Sequence, residues 1–464
     1  MSEFLNGVNL NIDLAYPFLF LIVAAIILLL CSAFYRLKAN FYASLSLLAL
    51  MASFFLELSN VNAFGFSASA FLGTLNNDFI AFFANCVILL FSFLYLLMDK
   101  EERVGEFYAL FLFMVASLML MVSSWNLLLI FIGLEASSLA FYTLIAMQGH
   151  KNAISSALKY FSVAAVGSGF FVLACAFIYL KTGNFDLTLA LTAAQKDIWL
   201  LSAGVLIFIL CAIKLSLAPF HFWLRDVYYA SHSNLVAFIS VVPKIAMFAV
   251  LIRLFDFFNH TKFDKIIIIL AVFSMIVASL VALSQKDVKK MLAYSSVTQS
   301  SFVLAALAPM LSIELGSDLS FVFWVVFGYW VLFAFANYGL FLVLSTLKKS
   351  SFEALNSLSI TKPFLAFALG ICAISLAGIP PFGLFWGKFM VLKSLVDNDL
   401  TYLALFVALA SVLMLYNYLK LIIHSFFIRG TKVGEDTYKD LEWGQKFTLA
   451  LCIIVNIFAL VLML

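Results

Sequence analysis

Apolar runs about twenty residues long follow one another along almost the whole chain, from Leu14–Ala33 to a last run over 443–464. That is the length an α-helix needs to cross the ~30 Å hydrocarbon layer of a bilayer. No water is available there for backbone N–H and C=O groups, so such runs fold as helices that bond within themselves. Counted on that basis there are fourteen, near 14–33, 41–59, 77–98, 107–123, 125–147, 154–180, 199–229, 234–256, 265–284, 291–309, 321–347, 362–395, 400–428 and 443–464. The chain therefore reads as an all-α polytopic membrane protein with about fourteen transmembrane helices. Composition agrees: of 464 residues, 65% are hydrophobic and 11% charged, where a soluble domain is about 25% charged. Only 60–76 and 181–198 leave room for sizeable loops, and the fourth and fifth runs are divided by the very short turn Ser123-Ser124-Trp125-Asn126.

The net charge of +3 says little by itself, because orientation follows where lysine and arginine fall. Connections after odd-numbered helices hold fifteen of them, and connections after even-numbered helices together with the tails hold five. The positive-inside rule then places both termini outside the cytoplasm. The first apolar run lacks a basic leader and a small-residue cleavage site, so it reads as a retained helix. There is no basic stripe to suit nucleic acid. The six cysteines are scattered singly in apolar helices with no CxxC or Cys/His pair, which removes iron–sulfur, zinc and haem-attachment spacings. With no GxGxxG and no Walker loop either, no cofactor or metal is expected in this chain. The 53 phenylalanines read as lipid-facing and packing surface.

Two of the fourteen runs are interrupted. The seventh carries Ser216-Leu-Ala-Pro-Phe-His-Phe-Trp223 and the twelfth carries Ser375-Leu-Ala-Gly-Ile-Pro-Pro-Phe-Gly-Leu-Phe-Trp386. Proline removes a rung of the helix ladder, and freed backbone groups at membrane depth survive only where protein or cavity water satisfies them. The related Pro-Phe…Trp cores begin at Pro219 and Pro381, 162 residues apart. Broken helices at corresponding places in two halves are the usual pointer to a transport site.

Against this apolar background four charges stand out: Glu135, Lys214, Lys244 and Lys388. A charge at bilayer depth costs at least ~2.5 kcal/mol, so such residues face a protein interior or a water cavity and carry function. Glu135 is about ten residues into the fifth run, too deep to reach the interface, and reads as a carboxylate that modulates a cation. Lys214 stands five residues before Pro219, where water and exposed carbonyls could deliver a proton. Lys244 follows Pro243 near mid-membrane and would relay protons. Lys388 follows Pro381 by seven residues and mirrors Lys214. Lys159 suits a snorkelling lysine as well as a functional one, and His221, just past Pro219, suits a proton carrier or a hydrogen-bonded structural histidine. Glu57, Arg253, Lys420 and Lys446 lie near run ends and read as interfacial anchors.

Several motifs are jointly specific: Leu-Glu-Ala-Ser-Ser-Leu at 134–139, Lys214-Leu-Ser-Leu-Ala-Pro-Phe-His-Phe-Trp223 with Asp226-Val-Tyr228, Lys290-Met-Leu-Ala-Tyr-Ser-Ser296, and Ala377-Gly-Ile-Pro380 leading to Lys388. Together they resemble the antiporter-like membrane subunits of the proton-pumping NADH–quinone oxidoreductase, respiratory complex I, over essentially the whole chain. The chain stops at fourteen helices, unlike subunit L with its long lateral helix, and has Lys388 where subunit M typically carries glutamate. The resemblance implies two inverted five-helix repeats over 107–256 and 265–428, each with one broken helix. A three-helix segment (1–106) would precede them and a C-terminal helix (429–464) would follow. It implies proton translocation in a bacterial inner membrane, coupled to quinone reduction elsewhere in the complex, with other membrane-arm subunits and the lipid bilayer as partners. Glu135 and Lys214 would form the modulating pair, Lys244 the central relay and Lys388 the lysine of the second half-channel, with Lys159 and His221 at accessory positions. NADH, FMN, iron–sulfur clusters and quinone would belong to other subunits. Gln299 stands where some relatives have histidine, so the route there would run through water, Tyr294 or Thr298. A subunit of a multi-subunit cation/proton antiporter would share the same fold and ion-pair logic, and a purely structural membrane scaffold is the remaining alternative.

Overall fold

The apolar runs form helices throughout. The computed structural model describes residues 11–35, 37–64, 66, 68–101, 103–194, 197–258, 263–311, 319–429 and 440–463. In chain order the described helices are α1 (Tyr16–Phe34), α2 (Ala39–Phe64), α3 (Phe79–Met98), α4 (Gly105–Ser123), α5 (Leu127–Ala146), α6 (Lys151–Thr182), α7 (Leu187–Ala194), α8 (Ile198–Lys214) and α9 (Phe222–Ala230). Then follow α10 (Ser233–Leu254), α11 (Phe263–Leu283), α12 (Val288–Leu307), α13 (Leu319–Ser345), α14 (Leu358–Thr361), α15 (Pro363–Ala377), α16 (Gly383–Asp397), α17 (Thr401–Phe426) and α18 (Trp443–Met463). Between α2 and α3 lies a small antiparallel hairpin, β1 (Ala68–Ala70) with β2 (Leu75–Asn77), Ala68 opposite Asn77. Eleven of the described helices are long and apolar enough to cross a membrane, and the other three expected spans, 199–229, 362–395 and 443–464, each contain a shorter apolar helix, α8, α15 and α18. Of the charges counted for orientation, Arg36, Lys196, Lys262, Lys432 and Lys439 lie outside the described residues.

The chain divides into two compact units. The first comprises 1–96, 100–214 and 242–259, and the second 97–99, 215–241 and 260–464. The chain thus leaves the first unit at the end of α8 and returns within α10, one residue before Pro243.

In the first unit α4 packs on α1 and α5, α5 on α6, and α6 on α8. The expected short turn occupies 124–126 and is held by several strands of backbone. Trp125 N–H donates to Thr74 O at 2.9 Å, Leu127 N–H to Phe185 O at 2.9 Å, and Leu187 N–H to Trp125 O at 2.9 Å. Asn126 caps α5 by accepting from Leu128 N–H at 3.0 Å, the ordinary role of an N-cap asparagine. Arg253, at the end of α10, corrects the expectation of an interfacial anchor. Its side chain is only 2% exposed and grips both carboxylate oxygens of Asp78 at 2.7 Å. It also donates to Val122 O and stacks 5.3 Å from the Trp125 ring centre. Glu57 is likewise buried, accepting from Asn85 Nδ2 at 3.0 Å. Lys181, in the last turn of α6, pairs with Asp197, just before α8, at 2.8 Å, and that contact, with the Trp199 N–H, holds the Asp197 carboxyl below the usual carboxylate range.

In the second unit α11 packs on α12 and α17, α13 on α15, α16 and α18, and α9 on α12. Both sequence interruptions break their helices, and the freed backbone groups find protein partners as the bilayer demands. After α8 the chain is non-helical until Phe222. There Ala218 is bonded twice to one α11 side chain: its N–H donates to Ser274 Oγ at 3.0 Å, and its C=O accepts from the same hydroxyl at 3.2 Å. The second break separates α15 from α16. Ser375 Oγ accepts the first free amide of α16, Leu384 N–H, at 3.0 Å, and Trp386 Nε1 donates to Pro381 O at 3.1 Å.

Candidate functional site

Within the first unit, α5, α6 and α8 give each member of the sequence-predicted pair a hydroxyl partner. Lys214 is the last residue of α8, as the proline spacing predicts, and its amine donates to Ser138 Oγ at 2.6 Å. The rings of Tyr142 and Tyr160 lie 5.9 and 5.4 Å from the same nitrogen, close enough for their faces to favour a cation. Glu135 accepts a short hydrogen bond from Ser168 on α6. Carboxylate and amine thus have separate hydrogen-bond partners. Lys214 and Ser138 line a cavity shared with Ser137, Phe141, Tyr160 and Pro243. Leu118, Met121, Leu134 and Met247 complete its lining, so its polar groups, Lys214, Ser137, Ser138 and Tyr160, sit in a mainly apolar wall. Lys244, next to Pro243 on α10, is 2% exposed.

Within the second unit Lys388 is buried, two turns into α16, and reaches back to the end of α15. Its amine donates to Leu376 O at 3.1 Å, Ala377 O at 3.0 Å and Ser411 Oγ at 2.9 Å. A lysine placed on the last carbonyls of a helix is favoured by the helix dipole. The turn that allows this is Gly378, at φ +80°, where an added Cβ would lie 2.7 Å from Lys388 Cδ and 2.9 Å from its Nζ. Gly378→Ala therefore meets both a left-handed backbone, at ~1–2 kcal/mol, and a collision with the lysine. The expected result is a lower yield of the folded chain in membranes, checked by immunoblotting of solubilised membranes. A normal yield would mean that the turn and Lys388 accommodate the added methyl group. His221, at the first break, is buried and lies against Tyr294, ring centres 5.9 Å apart.

Lys159 does not join the pocket. It lies on the exposed face of α6, while its neighbour Tyr160 turns inward to the cavity. Sequence reading missed Ser138, Tyr142, Tyr160 and Ser168 as partners of the buried pair. The first two were within reach, because positions three and seven residues after Glu135 fall near its face of the helix. Ser411 had no local signal, since it meets Lys388 only through tertiary packing. Among the described residues no group of three or more His, Cys, Asp or Glu side chains could hold a metal ion.

Residues 124–414 match the family described as NADH:quinone oxidoreductase/Mrp antiporter, TM. NADH-quinone oxidoreductase subunit N of Campylobacter jejuni is 61% identical, with 100% of each chain covered. Subunit N of Campylobacter lari is 49% identical, with 98% of each covered. Among solved structures, the fold is similar to a chain of respiratory complex I from Thermus thermophilus with bound aureothin, with a TM-score of 0.82 and 25% identity over 96% of this chain and 97% of that one. A chain of the Mrp complex from a Dietzia species shares the fold, with a TM-score of 0.81 and 19% identity over 91% of this chain and 82% of that one. Its sequence, matched end to end by these relatives, and its helical fold together establish that the chain belongs to the NADH:quinone oxidoreductase/Mrp antiporter family of membrane proteins, beside subunit N.

Proposed function

We propose that the chain is the proton-translocating subunit N of a bacterial NADH–quinone oxidoreductase, working in the inner membrane among the other membrane-arm subunits. The observation that carries this reading is a lysine at each of two broken helices: Lys214, half-buried at the end of α8, and Lys388, buried against the end of α15. Glu135 modulates Lys214, Lys244 relays, and Lys388 serves the second half of the path, with His221 and Lys159 as accessory groups. Quinone reduction elsewhere in the complex shifts the Glu135–Lys214 separation, and Lys214 answers by taking up or releasing a proton. The chain holds no redox centre of its own; NADH, FMN, iron–sulfur clusters and quinone belong to its partners. The inverted repeats over 107–256 and 265–428, and termini outside the cytoplasm, complete this reading. Its support is the end-to-end likeness to subunit N relatives and the charge asymmetry of the connections. Purification of the native complex tests it. Co-isolation with flavin- and iron–sulfur-containing subunits is expected, whereas co-isolation with small antiporter partners alone would make the chain a cation/proton antiporter subunit.

A further inference from the structure

Three contacts run in order along the seam between α5 and α6. The Phe131 and Phe171 rings stack with centres 5.6 Å apart, Ser168 donates to Glu135, and the Tyr142 and Tyr160 rings meet edge to face at 4.8 Å. Residue numbers rise on one helix as they fall on the other, so the two run antiparallel and Ser168 is level with Glu135. Lys214 belongs to the tyrosine end of this seam. Its amine is bonded to Ser138 and lies 5.9 and 5.4 Å from the two tyrosine ring centres. Side chains leave a helix tilted towards its N-terminus, which starts Glu135 towards the phenylalanine end, away from that amine. Ser168 is the hydroxyl that meets the carboxylate there.

The Ser168 hydroxyl can let go without being stranded. Its one hydrogen has two acceptors in reach: Glu135, and Ala164 O one turn back on its own helix at 3.1 Å. Serine readily bonds the carbonyl four residues before it, so the hydroxyl is satisfied whichever way it turns. On the lysine side, Ser138 directs its own hydrogen to Leu134 O at 2.6 Å and offers an oxygen lone pair to the amine. Each member of the pair is therefore parked on a serine. A hydrogen bond to an ionised acceptor is of the stronger kind, and losing one shifts the balance between two side-chain positions about tenfold or more.

We propose that Ser168 is a latch on the Glu135–Lys214 switch: its hydroxyl holds the carboxylate away from the amine, and turns to Ala164 O when the carboxylate crosses over. This rests on the proton-translocating reading of the chain. Ser168 is a positioning residue that acts on Lys214 through Glu135. Without it the carboxylate rests nearer Lys214, and a nearby anion strengthens an amine's hold on its proton. The other titratable groups around the pair are Tyr142, Tyr160, Cys211 one turn before Lys214 on α8, and Lys244 beside the cavity-lining Pro243. From α4 the cavity receives only Leu118 and Met121.

The test is the pH dependence of proton pumping by the assembled complex in vesicles. Ser168→Ala is expected to move the alkaline limb of the profile about one pH unit higher, the equivalent of a tenfold gain in proton affinity. Ser168→Val is expected to do the same and serves where the alanine variant fails to assemble. Ser168→Thr keeps a hydroxyl on the same carbon and is expected to pump with the wild-type profile. Glu135→Gln removes the anion and is expected to move the limb to lower pH, and adding Ser168→Ala to it should move it no further. A packing defect alone would reduce the amount of complex and leave the profile in place. An unmoved profile in the alanine or valine variant would overturn the latch, as would an equal upward shift in the absence of Glu135. Lys214→Ala separates the two levels of the argument. If it leaves pumping unchanged, the translocation reading fails; if it removes pumping while Ser168→Ala leaves the profile in place, only the latch fails.

Discussion

Replacing Lys214 by alanine is expected to abolish the share of proton pumping carried by this subunit, while the assembled complex still oxidises NADH with an artificial electron acceptor. The amine at the α8 break can both hold and release a proton, is bonded to Ser138 at 2.6 Å, and lines the cavity. A positioned acid–base group contributes about 10²–10⁴-fold to the step it serves, so the residual flux through this path would be negligible. The separated arrangement of Glu135 and Lys214 also indicates the size of the switch. A contact pair at about 4 Å is worth up to ~4 kcal/mol over full separation at an effective dielectric of ~20, a change in proton affinity of at most about a thousandfold. That exceeds the ~2.3 kcal/mol needed to move one charge against 100 mV. Lys214→Arg is the sharper companion, because arginine keeps the charge but does not give up its proton. It should pump as poorly as the alanine variant. If arginine restores pumping, Lys214 is a static cation and the switching mechanism is wrong.

The second large effect is expected at Arg253, far from any role suggested by its place near a helix end. Its guanidinium holds both oxygens of Asp78 at 2.7 Å and donates to Val122 O beside the 124–126 turn. Arg253→Ala strands the Asp78 carboxylate and leaves that carbonyl without its donor. Breaking a buried ion pair by removing one partner costs ~3–5 kcal/mol. Asp78, 26% exposed, recovers some hydration, which places the loss near the lower limit of that range, about 3 kcal/mol. That remains a large part of the stability of an ordinary domain. The expected result is a much smaller amount of the chain in the assembled complex, measured by native electrophoresis of solubilised membranes. Arg253→Lys should recover part of it, since an ammonium keeps the charge but cannot form the two-pronged grip. Normal assembly of the alanine variant would show that the turn is held by its backbone bonds alone.

Much of the fold was legible because the bilayer allows so few solutions: apolar runs of the right length had to be helices, and Pro219 and Pro381 had to interrupt them. The buried charges were legible for the same reason, since Glu135, Lys214, Lys244 and Lys388 are costly wherever they do not work. The partners of those charges were not legible. Ser411 reaches Lys388 by packing of distant helices, which leaves no periodic trace in the sequence. Arg253 and Glu57 were misread for a related reason. Nearness to a helix end suggests access to water, and only tertiary contacts reveal that Asp78 and Asn85 close over them.

An ammonium has three N–H groups, and Lys388 uses all three, two on the terminal carbonyls of α15 and one on Ser411. A neutral amine has only two to give and presents a lone pair in place of the third. Removing the proton therefore turns one contact round: the two remaining N–H groups stay on the α15 carbonyls, and the Ser411 hydroxyl donates to the lone pair. Both charge states find a full set of partners at one helix end. A proton can thus come and go at this nitrogen with only a hydroxyl turning.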